Sequence, residues 1–168
     1  MMTTDNISLA LISLKKYLAD YLDDNEWKKE YTIYLANDPI LINKEIVFEA
    51  AKINQIALPL IILDTQITRN QVQEFGDENG RDLVTLAVIV MAQNSNQLLT
   101  LANIIRRKIE RLTFNIKDYT KVSAPILDTG TIENAIMTNV SDPNAEHIAD
   151  KYNAVINATL EINAKDFI

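Results

Sequence analysis

The stretch DLVTLAVIVMA, residues 82–92, is apolar on both faces around Leu86 to Val90. A strand that is apolar on both faces is typical of the centre of a sheet that is covered on both sides. Upstream, ALPLIILDTQIT, residues 57–68, predicts a second strand from Leu58 to Ile67. Pro59 lies near its start, where a missing N–H is tolerated. We expect these two strands to pair.

The segment between these strands, QVQEFGDENGR, contains two of the three glycines in the chain. It predicts a long antiparallel hairpin that protrudes from the sheet, with its tip near Gly76 to Gly80. Hairpin tips of this kind are exposed and mobile. The tip residues are therefore candidates for contact with other molecules.

Two segments have the periodicity of amphipathic helices. From Asp5 to Leu22 the apolar residues are spaced three and four apart, as in a helix with one apolar face. NSNQLLTLANIIRRKIERL, residues 94–112, has the same spacing, with Asn94 or Ser95 as the N-cap. We expect the second helix to pack on the sheet.

Three further segments have the patterns of strands. Residues 30–48 alternate, turn at Asn37-Asp38-Pro39 and continue with β-branched residues, which predicts a hairpin. Residues 132–140 and 152–163 are further strand candidates, and the latter alternates apolar and mostly polar positions. The sequence thus predicts an α+β fold, an antiparallel or mixed sheet packed by two helices, in one domain of residues 1–168 with an excursion at 27–50.

Composition narrows the function classes. The chain has 168 residues, no cysteine and a formal net charge of −7. These values exclude disulfides and thiolate chemistry and disfavour nonspecific nucleic-acid binding over the whole surface. Acidic residues near the N-terminus and the absence of an 18-residue apolar run predict a soluble protein without an export signal or a membrane span.

Asp128-Thr129-Gly130 matches one half of an aspartic-protease site. Such a site needs two carboxylates about 3 Å apart that share a proton. One motif per chain could supply them only in a symmetric dimer, and no glycine for a flap follows Gly130. We therefore expect a turn between late strands, in which Gly130 has a positive φ and Asp128 bonds to its own backbone.

No other segment predicts a catalytic, cofactor or metal site. His147 is the single histidine, and it lies in a polar stretch that favours a solvated loop. GDENGRD, which includes Asp77, Glu78 and Asp82, fails the EF-hand spacing. No glycine is followed by Lys-Ser or Lys-Thr, which excludes a P-loop.

RRKIER places Arg106, Arg107, Lys108 and Arg111 near the end of the second helix. The simpler interpretation is a solvated face that complements the helix C-terminus, with Glu110 as partial compensation. The functional interpretation is a patch for an acidic neighbour or for nucleic acid. The simpler interpretation is favoured.

The order of the N-terminal helix, LPLIILDTQIT, the hairpin EFGDENGRD, LVTLAVIVMAQ, SNQLLTLANIIRRKIERL and KYNAVINATLEI resembles the tail terminator, or tail completion, proteins of long-tailed bacteriophages. The resemblance covers about residues 55 to 164. It rests on the order of the elements, without an invariant motif.

The resemblance implies a virion protein of the tail and neck, made in the bacterial cytoplasm. A hexameric ring would cap the tail tube, stop its polymerisation and bind neck or connector proteins, with DNA passing through the lumen. No enzyme activity or cofactor is implied. Candidate interface residues are those of the exposed hairpin and of the basic cluster: Phe75, Asp77, Glu78, Arg81, Arg106, Arg107, Lys108 and Arg111.

Two alternatives remain open. One is another head-tail connector or tube-like ring protein with a different docking face. The other, more remote, is an aspartic-type peptidase acting through Asp128.

Overall fold

The computed structural model describes residues 3–25, 27–28, 30–36, 58–72, 81–139, 144 and 152–163. Within these residues the chain forms two helices and six strands. In chain order they are α1 (Thr3–Asp24), β1 (Thr32–Leu35), β2 (Leu60–Val72), β3 (Arg81–Met91), α2 (Ser95–Ile109), β4 (Thr113–Lys117), β5 (Ile126–Asn139) and β6 (Asn153–Asn163).

The six strands form one sheet in the order β1-β2-β3-β6-β5-β4. β1 and β2 are parallel, while every other neighbouring pair is antiparallel. The α+β fold with a mixed sheet packed by two helices is therefore confirmed. The predicted hairpin tip at Gly76–Gly80, and the turn and second half of the hairpin predicted over residues 30–48, lie outside the described residues.

Both helices contribute to one core with the same face of the sheet. α1 packs against β1 and β4, and α2 packs against β3, β5 and β6. The alternation predicted for residues 152–163 holds in β6, since the apolar positions are buried, whereas Asn157 and Thr159 are exposed. Its buried side chains are Ala154, Ile156, Ala158, Leu160 and Ile162.

The central strand β3 is less deeply covered on its second face than the sequence predicts. Val84, Leu86, Val88 and Val90 are buried against the helices, but the alternate residues 83, 85, 87 and 89 are only half-buried. Apolar residues on both faces of a strand predict that the sheet is fully covered on both sides. Half-burial also favours apolar or small side chains, so the pattern could not separate the two situations.

A smaller cluster lies at one end of the second face. It consists of Leu60, Ile62 and Met91, with the partly buried Leu58 and Tyr34 packed against it. Successive side chains of a strand point to opposite faces. All four residues from Leu60 to Leu63 are buried, so this end of β2 is covered on both faces.

The turn predicted at Asp128-Thr129-Gly130 is wrong, because these residues lie inside the continuous strand β5. Gly130 pairs with Phe114 on one side and with Ile162 on the other. A Cβ on Gly130 would lie 2.8 Å from Cζ of Phe114. Glycine is needed here for close approach of an aromatic ring, and not for a left-handed backbone.

The N-terminus of α2 is capped by local hydrogen bonds. Asn94 is the N-cap, and its side-chain oxygen accepts the Gln97 N–H at 2.8 Å. Gln97 Oε1 in turn accepts the N–H of Gln93, the residue before the N-cap, at 2.8 Å, so two backbone donors are satisfied at this end of the helix. Neither helix in the described part of the chain has the length and apolar character needed to cross a membrane.

Candidate interaction surface

Most of the hairpin residues predicted to form an interface lie outside the residues that the structure describes. Phe75, Asp77 and Glu78 are not among the described residues, and only the backbone of Arg81 is described. His147 also lies outside. Among the described side chains, no group of three or more His, Cys, Asp or Glu could hold a metal ion.

Asp128 forms the local bond predicted for a structural residue. Its Oδ1 accepts the neighbouring Thr129 N–H at 2.6 Å, and its register partner in β4 is the buried Ile116. Its Oδ2 is buried and has no hydrogen-bond partner within the described part of the chain. An aspartic dyad requires a second carboxylate on such an oxygen. The described residues of one chain do not supply that contact.

The basic cluster of α2 is divided among different surroundings. Arg106 Nη1 lies 3.2 Å from Glu110 Oε2, one turn along the same helix. Lys108 Nζ lies 4.3 Å above the ring of Tyr21 in α1. Arg107 and Arg111 are exposed. The four cations therefore do not form a single patch, and only Arg107 and Arg111 point freely to solvent.

We expect Lys108→Ala to lower the free energy of unfolding by about 1 kcal/mol, since a partly desolvated ammonium over an aromatic face contributes on that order. Lys108→Met, which keeps an apolar stem on α1, should recover part of the loss. Arg107→Ala is the matched control and should change stability by less than about 0.5 kcal/mol. Urea unfolding measures all three, and equal losses for Lys108→Ala and Arg107→Ala would contradict the contact with Tyr21.

The loop between β4 and β5, residues 118–125, is ordered by its own hydrogen bonds. The Thr120 N–H and hydroxyl both donate to Asp118 Oδ1. The Asp118 N–H donates to the Pro125 carbonyl at 3.0 Å and closes the loop. The hydrogen bond from the Thr120 hydroxyl, helped by the Lys121 ammonium, holds the pKa of Asp118 below its usual value.

This ordered loop presents apolar side chains to solvent. Val122 at its tip is fully exposed, and Ile126 just after it is 59% exposed. Covering exposed apolar groups lowers the free energy of a complex. Because the loop is already ordered, little conformational entropy is lost when a partner binds it. This loop was not predicted from the sequence, although an Asp two residues before a Thr, as in Asp118 and Thr120, has the spacing of an Asx turn.

A groove runs between α1 and the edge strand β4, with a volume of about 300 Å³. Ser13 joins its walls, because its Oγ accepts the Lys117 N–H at 3.1 Å and donates to the Leu9 carbonyl at 2.7 Å. We call this the β4-edge groove. Its lining residues are Ser13, Lys16, Tyr17, Asp20, Thr113, Phe114, Asn115, Lys117 and Tyr119.

Lys16 and Tyr119 link the groove to the loop. Lys16 Nζ lies 3.8 Å from the centre of the Tyr119 ring. This contact fastens the start of the loop to α1 and leaves a cation at the groove wall. The surface formed by groove and loop therefore combines cations, hydroxyl groups, the edge strand β4 of the described sheet and exposed apolar side chains.

Searches with protein-family models and against curated proteins give no match to this chain. The fold and the surface define an α+β domain with a candidate interaction surface at one edge of its sheet.

Proposed function

We propose that the chain is a structural subunit of a bacteriophage tail, which forms a ring that caps the tail tube, ends tube polymerisation and joins the tail to the neck. The observation that supports this proposal best is the ordered loop with Val122 at its tip. A subunit of a closed ring needs two different surfaces that fit each other. The loop has the properties of one of them.

The arrangement of the elements also supports the proposal. α1 precedes the sheet, β2 and β3 form its long antiparallel pair, α2 follows, and β6 is an alternating strand next to β3. This is the order on which the resemblance to tail terminators rests. Arg107 and Arg111, being exposed, are the members of the basic cluster best placed for salt links between subunits.

We expect Val122→Asp to prevent ring formation, because the subunit interface would bury a carboxylate that has no partner, which is costly in free energy. Val122→Leu, which keeps an apolar side chain, should form rings. Light scattering measures whether the mass is six times that of the monomer, and negative-stain electron microscopy shows the rings, each with and without tail tube subunits of the same virus. Rings formed equally well by Val122→Asp would remove the loop from the interface.

A second experiment separates a terminator from another ring-forming connector. Tail tube subunits are allowed to polymerise with increasing amounts of the protein, and tube lengths are measured by electron microscopy. A terminator shortens the tubes and is found at one end. Unchanged tube lengths, with rings present, would favour a connector with a different docking face.

A further inference from the structure

Among the described residues, no other strand pairs with the outer edge of β4, which forms one side of the β4-edge groove. The Ile132 N–H donates to the Leu112 carbonyl at 2.8 Å, so this pair of residues is a hydrogen-bonded pair of the antiparallel ladder. Such pairs alternate along a ladder, so the backbone groups of Thr113 and Asn115 point away from β5. The Oγ1 atoms of Thr113 and Thr131 are 3.5 Å apart, as expected for the closer, non-hydrogen-bonded pair.

The far end of this edge is closed by Ser13, whereas no described residue covers its middle. Ser13 accepts the Lys117 N–H, so the last outward donor of β4 is already satisfied. Thr113 and Asn115 are exposed and line the groove. An open strand edge is a template for another strand. The room for an added strand is therefore next to Thr113 to Asn115.

The charges of the groove select among the possible strands. Among the described lining residues, Lys16 and Lys117 face a single acid, Asp20, in a chain whose net charge is −7. A cationic groove on an acidic protein attracts an acidic segment and repels a basic one.

We propose that the β4-edge groove binds an extended, acidic polypeptide segment of a partner protein as an added strand, with an acidic side chain placed between Lys16 and Lys117. Backbone hydrogen bonds to Thr113 and Asn115 provide affinity, and the lysines provide the preference for acid. This goes beyond the ring function, since the groove would serve a partner whether or not the chain forms a ring.

The test uses three fluorescein-labelled synthetic peptides, Thr-Val-Thr-X-Thr-Val-Thr, in which X is Glu, Gln or Lys. Fluorescence anisotropy should give saturable binding in the order Glu, Gln, Lys. The protein variants are Asn115→Pro, which removes an outward N–H that an edge strand can lose, and its control Asn115→Ala, which keeps it. We expect Asn115→Pro to weaken binding by about tenfold or more and Asn115→Ala by less than about twofold. Lys16→Glu with Lys117→Glu should reverse the preference to the Lys peptide.

A second measurement keeps the test independent of the folding of Asn115→Pro. The Glu peptide, N-methylated at alternate backbone nitrogens to block either of its edges, should lose binding to the wild-type protein for at least one methylation pattern. The proposal is overturned if the Glu peptide shows no saturable binding at millimolar concentration, if neither methylation pattern weakens it, or if the Lys peptide binds equally well. If no peptide binds but wild-type protein self-associates in light scattering and Asn115→Pro does not, the occupant is a second copy of this chain, which also overturns the proposal.

Discussion

Gly130→Val should lower the free energy of unfolding by about 3 kcal/mol, the upper part of the range for overpacking a core. Its Cβ would lie 2.8 Å from Cζ and 3.0 Å from Cε1 of Phe114, and 3.4 Å from Cδ1 of Leu160. Both neighbours are buried, so neither side chain moves freely. Replacing glycine in a strand normally gains up to about 1 kcal/mol from the unfolded state and β propensity. The clash is larger, so the net effect is destabilising.

A double-mutant cycle attributes the effect to the aromatic ring. A Phe114→Ala background removes the two shortest contacts of the added Cβ, so Gly130→Val should cost less there by about 1 to 2 kcal/mol. Denaturant unfolding with a common slope measures the four proteins. An equal cost in both backgrounds would show that Phe114 is not the obstacle.

Asp128→Ala is the comparison that separates Gly130 from the rest of the motif. The substitution loses the bond from the Thr129 N–H but also removes a buried oxygen that has no hydrogen-bond partner among the described residues. These terms oppose each other, and we expect a net change within about 1 kcal/mol. A much larger loss would mean that the Asp128 carboxylate has a stabilising partner.

Periodicity predicted the elements whose sequence is determined mainly by the burial of one face. β6 alternates because its two faces have different surroundings, and α2 repeats every three to four residues because one of its faces is buried. Asn94 was one of two expected caps, and its side-chain bond to Gln97 identifies it. Local sequence was therefore sufficient to predict an element whose buried face repeats with the period of a helix or a strand.

Contacts between distant segments could not be predicted in this way. The need for glycine at position 130 comes from Phe114, which lies on a different strand. A tripeptide that is typical of a turn can lie within a strand when a bulky side chain on the neighbouring strand leaves no room for a Cβ. The β4-edge groove has the same origin, because Ser13 and Lys117 are far apart in sequence and meet only when α1 packs on β4.

The division of the basic cluster was, by contrast, accessible from the sequence. Successive residues of a helix are rotated by about 100°, so Arg106, Arg107 and Lys108 cannot share one face. The first lies near Glu110, the second faces solvent and the third contacts α1. Charge counted along the chain overestimated the patch because direction was not considered.

Leu86→Ala should lower the free energy of unfolding by about 3 to 4 kcal/mol, whereas Leu83→Ala on the same strand should cost about 1 kcal/mol. Leu86 is completely buried on the face covered by the helices, while Leu83 points to the opposite face and is half-buried. The two substitutions remove the same atoms from the same strand, so the difference between them measures the burial of the two faces. Thermal and urea unfolding of both variants would test it. Equal, large losses would mean that the second face is packed as tightly as the first, as the apolar run from Leu86 to Val90 predicts.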